Sequence, residues 1–283
     1  MAWVWFHRFG SPPYFYRVAR RLTPWFAWPA LVLCLAGLVW GLAFTPPEAH
    51  QGYGFRIIYV HVPAAWLSLQ VFVVMALSAA IGLIWRIKVA HAVAASCATV
   101  GTSFTVVALG TGMLWGKPMW GTYWAWDPRL TSELLLLFLY LGYIGLRSGF
   151  DDTARADRAS AVLAIVGVVD VPIVKYSVDW WNSLHQGSSI IRAGGPAIAE
   201  PMLIPLLLMI VGFYCYFAAL LLVRARGEIL RRERNAQWIA EELSAPGAGT
   251  GSSGSGSLTG AFQGATGSNG PVGSAGHAGH ARI

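Results

Sequence analysis

Residues 62–85 of the chain, VPAAWLSLQVFVVMALSAAIGLIW, form an apolar run that contains no charged side chain. A helix needs roughly 20 such residues to cross a bilayer. Other stretches that qualify or come close lie at residues 24–44, 92–115, 129–146, 160–178 and 201–223. The pattern therefore predicts an all-α integral membrane protein with six transmembrane helices.

The composition agrees with this fold class and excludes several others. Of the 283 residues, 55% are hydrophobic and 12% are charged, whereas about 25% of the residues in soluble domains are charged. The cysteines, Cys34, Cys97 and Cys215, stand alone in apolar runs, so the sequence predicts neither a thiol redox pair nor self-attached c-type haem. No phosphate-binding loop has the required spacing, so any ATP use is expected in a separate subunit.

The basic residues predict the orientation. Most of the Lys and Arg that flank the runs lie before the first run and after the second, fourth and sixth. Basic residues favour the cytoplasmic side, so both termini are expected there, and the net charge of +7 does not require a nucleic-acid partner. Consequently the segment before His61, the loop before Asp127 and the loop that contains His185 are all expected on the outer face.

These observations divide the chain into four regions. Residues 1–23 form a basic cytoplasmic segment, and residues 24–225 form the six-helix domain, with an outer loop at about 115–128. Residues 226–243 are charged and favour a cytoplasmic helix. The Gly- and Ser-rich tail at 244–283 has too few apolar residues to form a core, so it is expected to be disordered.

The outer loop has the sequence WGKPMWGTYWAWD at residues 115–127. Its glycines and Pro118 argue against a simple helix. Tryptophan rings offer rigid apolar faces with N–H donors at their edges, a surface that suits a large planar ligand. Asp127, followed by a proline, is expected to cap the next helix.

Two histidines, His61 and His185, lie beside ends of apolar runs on the predicted outer face. Each alone is compatible with an interfacial hydrogen-bonding role. Together with the tryptophans they favour haem ligation, because neutral imidazoles from two segments can supply both axial positions. Pro63 is expected to start the second helix.

Cationic side chains on the outer face are candidates for pairing with the two carboxylates of a haem. They are Arg56, Lys117, Arg129 and Arg192, with Lys175 as a further possibility near the end of the fifth run. Asp170 lies deeper in that run, where we expect it to form an interhelical hydrogen bond.

The loop, with its continuation PRLTSELL at 128–135, closely resembles the tryptophan-rich WWD signature of haem-handling membrane proteins. Residues 56–66, RIIYVHVPAAW, and 175–186, KYSVDWWNSLHQ, are similar to the histidine segments of one branch, the cytochrome c maturation protein C (CcmC) family. The resemblance covers roughly residues 24–225.

The resemblance implies a haem-delivery factor of the bacterial inner membrane rather than an enzyme. Haem b would be a transiently bound cargo, presented for covalent attachment to a periplasmic haem chaperone (CcmE-like). The implied partners are ABC transporter subunits (CcmA/CcmB-like), a small single-span subunit (CcmD-like) and membrane lipid. His61 and His185 would be the axial ligands. The implied haem platform consists of Trp115, Trp120, Tyr123, Trp124, Trp126 and Asp127, with Tyr123 at a position where the family often has tryptophan.

The sequence leaves three other functions open. A cytochrome c synthetase of the same superfamily would generally have more spans and larger outer domains. A di-haem quinol oxidoreductase needs histidine pairs deep within its helices, and none is found at mid-span here. A solute permease with an aromatic gate would not bind haem.

Overall fold

The computed structural model describes residues 10–185, 187, 190 and 193–244. Its regular structure in these residues is helical, apart from one isolated bridge between Glu48 and Gly52. Six helical stretches are long and apolar enough to cross a membrane: Pro12–Phe44, Tyr53–Trp85, Lys88–Trp120, Pro128–Ser148, Thr153–Trp180 and Glu200–Arg232. The predicted fold class, an all-α protein with six membrane-length helices, is confirmed.

The helices are named α1 to α8 in chain order. They are α1 (Pro12–Val39), α2 (Ile58–Trp85), α3 (Lys88–Trp120), α4 (Pro128–Ser148), α5 (Thr153–Gly167), α6 (Asp170–Trp180), α7 (Glu200–Arg232) and α8 (Gln237–Ser244). A π-helical turn, Trp40–Phe44, continues α1, and a 3-10 turn, Tyr53–Ile57, precedes α2. Helices α5 and α6 share one span, which is interrupted after Gly167.

One predicted helix start is wrong, and one helix is longer than its apolar run. Helix α1 begins at Pro12 rather than near residue 24, because hydropathy marks only the apolar part of a helix that continues into basic sequence. Helix α2 begins at Ile58, so Pro63 lies inside it instead of starting it. His61 is therefore held on a helix, which fixes its position more firmly than a loop would.

The expectation that the tryptophan-rich loop is not helical is wrong for its first half, because α3 continues to Trp120. Pro118 lies in the last turn, where its missing N–H removes one backbone hydrogen bond. Gly116 makes room for an aromatic ring, since a Cβ there would lie 3.0 Å from Cε3 of Trp120. The helix ends at Gly121, whose φ of 75° is readily adopted only by glycine.

Close helix packing forms the core. Helix α1 packs along α7, and α2 packs along both α3 and α7. Small residues also allow α3 to approach α4 closely, as at Gly101, where an added Cβ would overlap the Tyr140 ring. Tyr140 donates to the carbonyl oxygen of Ser68 (2.8 Å) and packs edge-on against Phe72. The core therefore fixes α2 relative to α3 and α4.

An ion-pair network joins α4, α5 and α7 at the opposite end of the bundle. Arg147 contacts Asp157 (2.5 Å) and Glu228 (2.9 Å), and Arg232 contacts the same two carboxylates at 2.8 and 2.7 Å. All four side chains are at most 15% exposed. Because each charge is paired, the cluster can hold three helix ends together without a buried uncompensated charge.

Candidate functional site

A cavity system lies at the end of the bundle where α2 begins and α3 ends. Three adjoining cavities have volumes of about 500, 130 and 60 Å³, and both His61 and His185 line all three. The largest is within the range of roughly 300–1,000 Å³ that is typical of small-molecule sites. The fold thus brings together the two histidines that the sequence singled out.

The ring orientation of His61 is set by α3. Its Nδ1 lies 3.0 Å from the hydroxyl oxygen of Thr111, and that hydroxyl donates to the carbonyl of Val107 at 2.6 Å. The hydroxyl has only one proton, so its oxygen accepts a hydrogen bond from Nδ1–H of His61. Nε2 therefore carries the lone pair of the neutral imidazole. Trp115 packs edge-on against this ring, with centroids 5.6 Å apart.

His185 is held by Asp127, the N-cap of α4. The side chain of Asp127 is 2% exposed and accepts hydrogen bonds from the backbone N–H of Leu184 (2.7 Å) and Arg129 (3.0 Å) and from the hydroxyl of Ser183 (3.0 Å). Burial alone would raise the pKa of Asp127, but these hydrogen bonds and His185 outweigh it and hold the pKa below its ordinary value.

An ionised carboxylate can only accept hydrogen bonds. The contact of 3.3 Å between Nδ1 of His185 and Oδ2 of Asp127 therefore has the histidine as donor, and Nε2 again carries the lone pair. Burial lowers the pKa of His185 by more than Asp127 raises it. The imidazole is consequently neutral at neutral pH, which is the form that binds a metal. Trp120 packs against its ring, with centroids 4.9 Å apart.

The structure divides the predicted aromatic platform into two parts. Trp115 and Trp120 line the cavity of about 130 Å³, and Trp115 donates to the Gln51 side chain at 2.8 Å. The other three rings, those of Tyr123, Trp124 and Trp126, are not among the residues that line the three cavities. Tyr123 is 53% exposed and Trp126 is 77% exposed, so these rings form an aromatic surface outside the cavity.

The predicted cationic residues fall into two groups, those that line the cavities and those that do not. Arg129 lines the cavities of about 60 and 500 Å³, and Lys175 lines the larger one. Arg56 instead donates to the carbonyl of Thr45 at 2.5 Å, and Lys117 donates to that of Gly121 at 2.9 Å. Neither of these two lines the cavities. Arg192 lies outside the described residues.

Several residues of the site were not identified from sequence. Thr111 lies four residues before Trp115, on the same face of α3. If the helix had been predicted to continue to Trp120, this spacing would have indicated that Thr111 faces the site. Gln51 and Ser183 have no sequence signal of their own. The predicted interhelical hydrogen bond of Asp170 is wrong, because neither of its carboxylate oxygens has a hydrogen-bond partner among the described residues.

The chain is similar to known proteins over most of its length. Residues 5–240 match the family model described as "Heme exporter protein C". Relatives with that name include one from Haemophilus influenzae, 48% identical over 237 residues, which are 84% of this chain and 96% of the relative. A relative from Escherichia coli is 46% identical over 239 residues, with the same coverage. One from Paracoccus denitrificans is 41% identical over 240 residues, covering 84% of this chain and 98% of the relative. The resemblance seen in the loop and the histidine segments is confirmed, and the chain belongs to the heme exporter protein C family.

Proposed function

We propose that the chain binds haem b as a transient cargo, with His61 and His185 as axial ligands, at the outer face of the bacterial inner membrane. It presents this haem for covalent attachment to a periplasmic haem chaperone (CcmE-like) during the biogenesis of c-type cytochromes. One observation carries the proposal: both histidines line the same cavities, and both have Nδ1 engaged by a protein oxygen. The names of the relatives, heme exporter proteins, support the same cargo.

Haem suits this site better than a bare metal ion. A porphyrin brings four equatorial nitrogens, so two imidazoles are sufficient to complete the coordination of its iron. Within residues 10–244, as far as they are described, no group of three or more His, Cys, Asp or Glu side chains could hold a metal ion. The rings of Trp115 and Trp120 supply apolar walls for a flat macrocycle.

The charged and aromatic neighbours suit the rest of the cargo. Arg129 and Lys175 line the largest cavity, and charge-assisted hydrogen bonds from such cations stabilise carboxylates such as haem propionates. The rings of Tyr123, Trp124 and Trp126, of which Tyr123 and Trp126 are exposed, extend the aromatic surface beyond the cavity. In this proposal they contact the part of the haem that reaches the chaperone.

Imidazole ligation is reversible, as delivery requires. The chain would therefore be a delivery component rather than an enzyme, with no covalent step on its own side chains. ATP hydrolysis would belong to ABC transporter subunits (CcmA/CcmB-like), which act with a small single-span subunit (CcmD-like). Both termini would lie in the cytoplasm, so that the cavity opens on the periplasmic side, where the chaperone is found.

The delivery step is tested by co-expression with the periplasmic chaperone. After purification, a pyridine haemochrome assay measures haem on this chain, and haem staining of a denaturing gel measures haem covalently attached to the chaperone. Replacing both Trp124 and Trp126 by alanine is expected to reduce chaperone loading while the chain still inserts into the membrane. The matched control is Trp25→Ala with Trp28→Ala, because these rings are exposed on α1, 77% and 67% respectively.

Equal chaperone loading by the two double variants would contradict the role of the Trp124 and Trp126 rings. Wild-type protein that contains no haem after expression in haem-replete cells would contradict the proposal as a whole and would favour a solute permease.

A further inference from the structure

Two carboxyl groups are buried beneath the histidine cavities, within the membrane-spanning part of the chain. Glu133 lies on α4 and Asp170 is the first residue of α6, and each is 5% exposed. Helices α4 and α6 pack against each other, and Arg129 on α4 donates to the carbonyl of Val174 on α6 at 3.0 Å. Glu133 lies four residues after Arg129 and Asp170 lies four residues before Val174, so in these antiparallel helices the two acidic residues lie at the same level, one turn deeper. Ionisable groups at such positions are costly and usually serve a function.

The hydrogen bonding of this acid pair, Glu133 and Asp170, is incomplete. Oε1 of Glu133 accepts from the hydroxyl of Ser68 at 2.6 Å. Oε2 of Glu133 and both oxygens of Asp170 have no partner among the described residues. Two neighbouring carboxylates that are both ionised repel each other strongly in a low-dielectric medium, so such a pair retains a proton.

The acid pair is connected to the proposed haem site. Glu133 lines the cavity of about 60 Å³ together with His61, His185 and Arg129. A water molecule needs roughly 10–15 Å³ of such volume and polar partners, and this cavity offers both. Water in it would link the pair to the histidine cavities and so provide a route for protons.

We propose that Glu133 and Asp170 form a redox-linked proton site, which holds one proton while the bound haem is ferric and takes up a second when it becomes ferrous. This inference rests on the proposed function, because it requires haem at His61 and His185. An external one-electron donor reduces Fe(III) to Fe(II). The second proton comes from hydronium in the aqueous phase outside the membrane, and an O–H bond forms on the ionised carboxylate. The summed charge of iron and acid pair is then unchanged.

Charge balance is the physical reason for the coupling. Reduction removes one positive charge from the iron, so nearby carboxylates bind protons more tightly. Around Glu133, the titratable or charged side chains are Arg129 and Tyr140 on α4, together with His61 on α2 and His185 in the loop after α6, which line the same cavity. On α3, Cys97 lies near Tyr140. The two histidines are held by iron in the loaded protein, so the acid pair is the protein group that responds, in addition to the propionates of the haem itself.

The experiment is a reductive titration of the purified, haem-loaded protein with dithionite over a series of pH values. The midpoint potential of the wild-type haem is expected to fall as pH rises, by at most about 59 mV per pH unit for one electron and one proton. The double variant Glu133→Gln with Asp170→Asn is expected to show a smaller slope. Any slope that remains in it would come from the haem propionates.

The matched control is Asp151→Asn with Glu200→Gln, which makes the same two carboxyl-to-amide substitutions at exposed positions. It is expected to keep the wild-type slope. A slope that is equal in wild type and in the acid-pair variant, or absent in wild type, would overturn the proposal.

A second measurement uses the wild-type protein alone, so it decides the question even if the acid-pair variant does not fold. Infrared difference spectra between the ferric and ferrous states are expected to show a gain of a protonated-carboxyl C=O band that shifts in D₂O. Absence of this band would overturn the proton site. If the same protein still showed a bis-histidine haem spectrum, the proposed function would be unaffected. Wild-type protein that binds no haem would overturn both.

Discussion

At the scale of single residues, the ligand character of the two histidines depends on the oxygens that hold their Nδ1 atoms. Thr111 accepts from His61, and Asp127 accepts from His185. Each contact fixes the tautomer in which Nε2 can bind iron. Such supporting hydrogen bonds typically contribute roughly 10- to 100-fold to metal affinity.

Thr111→Val keeps the shape of the side chain and removes the hydroxyl. The imidazole of His61 then loses the acceptor for Nδ1–H, so we expect haem affinity to fall by roughly 10- to 100-fold. Haem titration of the purified apoprotein measures the change. Thr102→Val is the control, because the Thr102 hydroxyl bonds only to the carbonyl of Ala98 on the same helix. Equal affinities for the two variants would contradict the role of Thr111.

Asp127→Asn tests the anchor of the His185 loop. The carboxylate of Asp127 accepts from Leu184 with one oxygen and from Ser183 and Arg129 with the other. The amide of asparagine has a single acceptor oxygen, so its NH₂ group must replace one of these two oxygens and face a donor. We expect a loss of about 1–3 kcal/mol in the free energy of unfolding. The control is Asp152→Asn, an exposed N-cap of α5 where Asn serves equally well. Losses of the same size in both variants would contradict this account.

The anchor also predicts a pH dependence. The pKa of Asp127 is lowered in the folded protein, so its stabilising contribution is complete above the ordinary pKa of a carboxyl. It is lost as pH falls through the lowered value. Thermal unfolding in detergent is therefore expected to show a steeper loss of stability in acid for wild type than for Asp127→Asn. Parallel pH profiles would indicate that the carboxylate is not responsible.

At the scale of elements, the approach of α3 to α2 positions His61. A Cβ at Gly112 would lie 3.2 Å from Cε1 of His61, whereas a Cβ at Gly110 would meet nothing within 4 Å. Gly112→Ala should therefore displace the imidazole by a few tenths of an ångström and weaken haem binding, while Gly110→Ala should not. Haem titration and the Soret spectrum of both variants measure this. A Gly112→Ala protein with wild-type affinity would show that the close packing does not matter for ligation.

The sequence predicted the number and approximate positions of the membrane-length helices, but not all of their limits. Hydropathy located the six spans because length and apolar content are enough to define them. It did not locate the end of α3, because Pro118 and the glycines suggested a loop, while the rings of Trp115 and Trp120 pack well on a continued helix. The break before Asp170 was also missed. Pro172 explains it, since a proline is favoured in the first turn of a new helix.

The residues of the site could be predicted only in part from the sequence. His61 and His185 could be singled out because residue type and span-end position restrict the candidates, whereas Arg129 was only one of several cationic candidates that the sequence could not rank. The division of the aromatic residues between cavity and surface depends on where α3 ends and on the turn at Gly121. The partners Thr111 and Ser183 are common residue types whose roles depend on tertiary contacts, so no pattern in the sequence marks them.

At the scale of the whole molecule, the histidine cavities and the ion-pair network lie at opposite ends of the helical bundle. The distribution of the basic residues predicts that the network lies on the cytoplasmic side. Ala49→Cys, near the cavity end, is therefore expected to react with a membrane-impermeant thiol reagent in cells with a permeabilised outer membrane. Thr153→Cys, at the other end, should react only after the inner membrane is broken. The reverse labelling pattern would contradict the orientation and the delivery of haem to the periplasm.

The most direct test of the account is the ligation state of ferric haem in the purified protein, measured by absorption and electron paramagnetic resonance. We expect a low-spin, six-coordinate spectrum of two imidazoles, which is lost in His61→Ala and in His185→Ala. His91→Ala, at the opposite end of α3, should keep it. An unchanged low-spin spectrum in both ligand variants would contradict the claim that these two histidines hold the iron.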